Sequence, residues 1–136
     1  MEISDSGDDA VLVTLAAAAG DEASDLVLCW WRALVQAAPR LIAAQPAYTR
    51  VQVVFASDVD IDEVRDFLGA LVPLPLSAPV RVVEVPVRYG GDDGPDLVDV
   101  SCHSGLTVAD VVCRHTAARY RVAFCGFLPN FPQGLA

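Results

Sequence analysis

Hydrophobic residues in the first part of the chain recur with two different periods. Residues 10–15 are a short apolar run, which is typical of a strand buried on both faces. Over residues 22–38 the apolar side chains return every three or four positions, which predicts an amphipathic helix that Pro39 ends. Residues 41–44 and 49–56 predict two strands joined by a short turn.

A second helix and a further strand follow. Asp60 is a typical N-cap residue, with Glu63 as its capping-box partner, and the apolar helical stripe extends to Pro73. Later prolines predict a stiff linker, and residues 80–87 predict another strand. The order β-α-β-β-α predicts an α+β fold in which residues 1–79 form a ferredoxin-like, split β-α-β subdomain.

The remaining residues, 80–136, have shorter elements and form the predicted second subdomain. Gly94 and Pro95 precede a short helix that Gly105 ends with a left-handed cap. A second short helix is predicted over residues 108–115, and residues 120–125 predict a strand.

The charge balance excludes several classes of function. Basic residues number 9 against 18 acids, the formal net charge is −9, and every basic residue is an arginine. Without lysine there is no P-loop lysine and no Schiff base, and the negative charge argues against binding to nucleic acid. The N-terminus is acidic, and no apolar run reaches the roughly 18 residues of a membrane span. We therefore expect a cytoplasmic protein that does not bind a membrane.

Candidate chemistry is sparse. The glycine-rich loop of residues 88–95 is either a solvated turn or a phosphate cradle, and the cradle needs a metal ion to offset its two aspartates. His115 lies on the apolar stripe of its helix, as a core or rim residue or as a catalyst. Cys113 and His115 point about 200° apart on a helix and cannot chelate one ion, so we expect no metal site.

Two stretches of the second subdomain resemble a known family. Residues 85–97 and 105–131 are similar to allophanate hydrolase subunit 1, a family that includes the B subunit of prokaryotic 5-oxoprolinase and a kinase-inhibitor protein of sporulation control. The matching residues are Val85, Pro86, Val87, Tyr89, Gly90, Gly91, Gly94, Pro95, Asp96, Leu97, Gly105, Leu106, His115, Tyr120, Arg121, Val122, Gly126, Phe127, Pro129 and Phe131. Asn130 replaces a glycine of the family pattern, and asparagine tolerates the positive φ of such a turn.

The resemblance implies a small α/β unit followed by a cyclophilin-like β-barrel. It also implies partners: a homologous second carboxyltransferase subunit of the C type and a third hydrolase subunit, which together use ATP to convert 5-oxoproline to glutamate. The implied cofactor of the complete complex is ATP, and we expect this chain to bind no cofactor itself. The candidate catalytic residues are His115 and Arg121. The candidate groove residues for substrate or partner are Tyr89, Gly90, Asp96, Phe127, Pro129 and Phe131.

Family members continue beyond the point where this chain stops, so we expect an incomplete barrel. The first functional hypothesis is a subunit of an ATP-dependent amidohydrolase that is inactive alone. The alternatives are a non-catalytic regulatory module resembling the kinase inhibitor, and a non-functional fragment.

Overall fold

The computed structural model describes residues 1–38, 40–76, 81–126, 128 and 131–135. These residues fall into two compact units. The first unit holds residues 1–78 and 122–135, and the second holds residues 79–121, as far as these are described.

A four-stranded antiparallel sheet forms the frame of the first unit. Its strands are β1 (Glu2–Asp5), β2 (Ala10–Thr14), β3 (Leu41–Pro46) and β4 (Arg50–Phe55), in the spatial order β1-β2-β4-β3. Since β4 lies between β2 and β3 and is antiparallel to both, β2 and β3 run in the same direction. This is the predicted split β-α-β arrangement, so the predicted α+β class is confirmed.

Two helices cover one face of this sheet. They are α1 (Asp21–Ala37) and α2 (Ile61–Ala70), and the Asp60 carboxylate caps α2 by accepting a 2.8 Å hydrogen bond from the Asp62 backbone N–H. The buried cluster between helices and sheet consists of Val11, Val13, Val27, Trp30, Leu34, Val51, Val53, Phe55, Val64 and Leu68. In the register of β2 and β4, Val11 is opposite Val53 and Val13 is opposite Val51. Because side chains alternate along a strand, these four valines lie on one face of the sheet.

The second unit contains a 3₁₀ turn at Gly91–Asp93 and two short helices, α3 (Leu97–Ser104) and α4 (Val108–Ala117). Gly105 ends α3 in the left-handed conformation, with φ 67°, as predicted. None of residues 81–121 is buried. This unit therefore has secondary structure without a core of its own.

Strands β5 (Arg121–Cys125) and β6 (Pro132–Leu135) form a separate two-stranded sheet. The Gln45 side chain donates a 3.0 Å hydrogen bond to the Cys125 carbonyl, and the Tyr48 and Phe124 rings meet edge to face at 4.9 Å. The described residues form no closed barrel, in agreement with the predicted incomplete one. The predicted division at residue 79 put this strand pair in the second subdomain, whereas residues 122–135 pack with the first unit.

One prediction of secondary structure needs correction, and two observed strands were not predicted. The strand predicted at 80–87 is wrong over residues 81–87, which are neither strand nor helix, while Val80 lies outside the described residues. The sequence reading did not predict β1 or β6. Residues 81–87 have the β-branched composition of a strand, but a strand needs a partner to hydrogen-bond with, and composition does not supply one.

The position of α1 gives a test of the core. Leu34 is fully buried, whereas its neighbour Val35 is 50% exposed. We expect Leu34→Ala to lower the free energy of unfolding by about 2–5 kcal/mol, because it leaves a cavity under the helix. Val35→Ala is the matched control and should change it by less than about 0.5 kcal/mol. Urea denaturation of both variants measures the difference, and equal effects would contradict the observed packing.

Candidate functional site

Two tyrosine side chains of the second unit meet at His115. The Tyr89 hydroxyl and His115 Nδ1 are hydrogen-bonded, and the two rings are nearly perpendicular with centroids 5.7 Å apart. The Tyr120 ring centroid lies 5.3 Å from that of the imidazole, and the Tyr120 hydroxyl donates a 3.2 Å hydrogen bond to the His115 carbonyl. We call Tyr89, His115 and Tyr120 the Tyr–His–Tyr cluster.

The helix α4 positions the histidine. Thr107 caps its first turn by accepting a 3.1 Å hydrogen bond from the Asp110 backbone N–H. His115 falls in the last turn, where backbone carbonyls lack a partner within the helix. The Tyr120 hydroxyl satisfies one of these carbonyls, so the chain reversal after α4 also holds Tyr120 beside the imidazole.

A tight glycine loop follows Tyr89. Gly90 and Gly91 have φ values of 75° and 57°, which favour glycine. A Cβ atom at Gly94 would lie 2.8 Å from the backbone nitrogen of Gly90, so a side chain there would force the loop open. The loop thus depends on glycine where Tyr89 enters the cluster.

The hydrogen bond to Tyr89 occupies one imidazole nitrogen, Nδ1. If the Tyr89 O–H donates to Nδ1 of a neutral His115, the ring proton lies on Nε2. Nε2 is then the nitrogen that can exchange a proton with a ligand. His115 and Tyr120 are exposed and Tyr89 is half-buried, so water reaches the cluster.

The structure places the other predicted site residues as follows. Arg121 is half-buried at the start of β5 and is already engaged in an interaction. Asp96 precedes α3, and its side chain makes no capping hydrogen bond. Phe131 is 48% exposed and belongs to the first unit, where its carbonyl accepts a 2.9 Å hydrogen bond from the Gly126 backbone N–H. Phe127 and Pro129 lie outside the described residues. The functional roles of all these residues stay predictions.

Sequence reasoning did not include Tyr120 among the candidate site residues. It named this residue as a family match and as the start of a strand, whereas β5 begins one residue later. The available signal was its distance of five residues from His115, just past the predicted end of a helix.

Within the part of the chain that the structure describes, no group of three or more His, Cys, Asp or Glu side chains could hold a metal ion. The adjacent aspartates of the glycine loop, Asp92 and Asp93, are exposed, and Asp93 Oδ2 lies 3.7 Å from Arg88 Nη1. The loop is thus exposed and has an ion pair across it, and the phosphate cradle stays a prediction. Among the described residues, no helix is long and apolar enough to cross a membrane.

Comparison with known proteins shows where this architecture recurs. The model of the carboxyltransferase domain, subdomain C and D, matches residues 1–133. The chain belongs to this family. The match confirms the expected resemblance and extends it to the first unit, whose sequence motifs had carried little of it.

Two curated relatives are named as the B subunit of 5-oxoprolinase. The protein of Escherichia coli O157:H7 is 50% identical over 52 residues, which cover 38% of this chain and 24% of the relative. The protein of Bacillus subtilis (strain 168) is 46% identical over 52 residues, which cover 38% of this chain and 22% of the relative. The chain spans about a quarter of the length of either relative.

A solved structure, that of TTHA0988, has a similar fold. The two structures superpose with a TM-score of 0.75 at 32% sequence identity. The matched region covers 90% of this chain and 24% of the TTHA0988 chain. Most of the fold described here thus recurs within a much longer protein.

The hydrogen bond between Tyr89 and His115 can be tested by ¹⁵N NMR of the two histidines. Tyr89→Phe keeps the ring and removes the hydroxyl, so we expect the neutral His115 to lose its preference for the Nε2–H tautomer, with a change in both ring ¹⁵N shifts. His103, on the exposed side of α3, is an internal control and should not change. Unchanged His115 shifts would contradict the proposed orientation of the imidazole.

Proposed function

We propose that this chain acts like the B subunit of an ATP-dependent 5-oxoprolinase, which hydrolyses 5-oxoproline to L-glutamate. The observation that carries the proposal is its 50% identity over 52 residues to a protein named as that B subunit. Because the chain spans only 24% of that relative, the proposed activity belongs to an assembly. Its other members are a homologous carboxyltransferase subunit of the C type and a third hydrolase subunit, and ATP binds within the assembly.

The substrate's charge suggests a role for Arg121. 5-Oxoproline carries one carboxylate, and a chain with a net charge of −9 repels it unless a cation is placed at the site. A guanidinium group binds a carboxylate through two parallel hydrogen bonds and has donors left for another partner. Arg121 directly follows Tyr120 of the cluster and is only partly exposed, so we assign it to the substrate carboxylate.

The proposed role of His115 is proton transfer. Opening the lactam breaks its C–N bond, and the departing nitrogen must gain a proton. The Nε2 proton of His115 is suited to this task because Tyr89 holds Nδ1. Tyr89 is then a positioning residue that sets the tautomer.

The exposure of the cluster explains why we expect the chain to be inactive alone. Polar groups stabilise a transition state strongly only where water is excluded. His115 and Tyr120 are exposed, and none of residues 81–121 is buried. A partner protein that covers the cluster would provide the dry environment.

The exposed valines of the second unit favour a second candidate function. Four valines in residues 81–87 are exposed, which is typical of a surface that contacts another protein. A regulatory module resembling the kinase inhibitor would use such a surface without any catalysis.

Co-expression with the homologous carboxyltransferase subunit and the third hydrolase subunit from the same organism tests the enzyme proposal. We expect a complex that forms glutamate from 5-oxoproline only with ATP, and no activity from the purified chain. In the complex, His115→Asn should lower kcat by about 100-fold or more, because general acid–base catalysis contributes roughly 10²–10⁴.

His103→Asn is the matched control and should leave kcat unchanged, since His103 lies on α3 outside the cluster. Equal activity of the His115→Asn complex and the unmodified complex would remove His115 from the mechanism. A stable complex without turnover, together with inhibition of a sporulation kinase by the chain, would support the regulatory function instead.

A further inference from the structure

The segment of residues 81–88 is the most exposed apolar stretch of the second unit. All eight residues are exposed, and its four valines, Val82, Val83, Val85 and Val87, have exposed fractions of 79%, 62%, 75% and 52%. Within the described residues the segment pairs with no strand. A β-branched run with free backbone donors and acceptors tends to pair with another chain.

We propose that two copies of this chain associate through antiparallel pairing of this segment, centred on Pro86. This interface is independent of the proposed enzymatic function. In an extended segment Val83, Val85 and Val87 share one face, while Glu84, Pro86 and Arg88 share the other.

The charges select the register. With Pro86 opposite Pro86 of the second copy, each Glu84 faces an Arg88 across the two-fold axis, which gives two opposite-charge pairs. Pairing centred on Glu84 would instead oppose two carboxylates. Pairing centred between Glu84 and Val85 would oppose Arg81 and Arg88, which repel.

The proline fits the same register. Proline has no backbone N–H, so it is tolerated at a pair that does not exchange hydrogen bonds. If the Pro86 pair is of this kind, Val85 of each copy exchanges both hydrogen bonds with Val87 of the other. The Glu84–Arg88 pairs then also fall at positions without hydrogen bonds, where side chains approach more closely.

The valines supply the apolar contact. Facing residues of an antiparallel pair lie on the same side, so Val83, Val85 and Val87 of both copies form one apolar strip. Arg88 is 88% exposed and its 3.7 Å contact with Asp93 is a surface ion pair, which contributes little and yields to a new partner. A two-stranded pairing is only marginally stable, so we expect reversible association.

Sedimentation velocity of the chain over a range of concentrations tests the inference. The unmodified chain should form a dimer as concentration rises. Glu84→Arg and Arg88→Glu should each raise the dimer Kd by about tenfold, because each variant turns two attractive pairs into repulsive ones. The double variant Glu84→Arg with Arg88→Glu should restore the original Kd to within about twofold.

Two further arms separate specific pairing from a general charge effect. An equimolar mixture of the two single variants should form a mixed dimer, since every facing pair then has opposite charges. Arg81→Glu makes the same change in net charge as Arg88→Glu but lies outside the facing Glu84–Arg88 pairs, so it should leave the Kd nearly unchanged.

Several results would overturn the inference. They are a chain that stays monomeric at the highest concentration, equal effects of Arg81→Glu and Arg88→Glu, or a double variant that does not recover. A monomeric chain in which Glu84→Arg weakens only binding of the homologous carboxyltransferase subunit would assign the segment to that partner instead.

Discussion

Packing of two amphipathic helices on one face of the β-sheet is the interaction on which the first unit depends. Val11 and Val13 of β2 face Val53 and Val51 of β4, and all four are fully buried. Each buried aliphatic side chain contributes roughly 1.5–3 kcal/mol relative to an exposed one. On the opposite face of β4, Arg50 and Gln52 are exposed, so the two faces of this strand differ in burial. This asymmetry fixes the register, because a slip of one residue would expose the valines.

The second unit is held together in a different way. Its helices are capped, and its loop depends on glycine at positions 90 and 94, but it buries no side chain over residues 81–121. Short helices in water are marginal without tertiary packing. Local hydrogen bonds such as the one from Tyr120 to the His115 carbonyl therefore matter more here than they would above a core. The exposed valines and the exposed cluster both follow from this lack of burial.

Function in this family member is thus proposed to depend on association. The Tyr89 hydroxyl is hydrogen-bonded to Nδ1 of His115, and nothing in residues 81–121 shields the imidazole from water. Identity to proteins named as the B subunit of 5-oxoprolinase covers 38% of the chain, and the matched stretch is less than a quarter of each of those relatives. In this proposal, the partner protein that covers the cluster is also what excludes water from it.

The sequence by itself determined the elements that carry their own local signals. The stripe of α1, the Asp60 cap of α2 and the left-handed Gly105 were all predictable, because periodicity and capping act over a few residues. Strand β1 was not, because its sequence, EISD, is short and acidic and becomes a strand by pairing with β2. The predicted strand at 81–87 failed for the converse reason, since strong β propensity found no neighbour within the described residues. The meeting of Tyr89, His115 and Tyr120 required the tertiary structure, because a loop and a helix end 26 residues apart come together only in space.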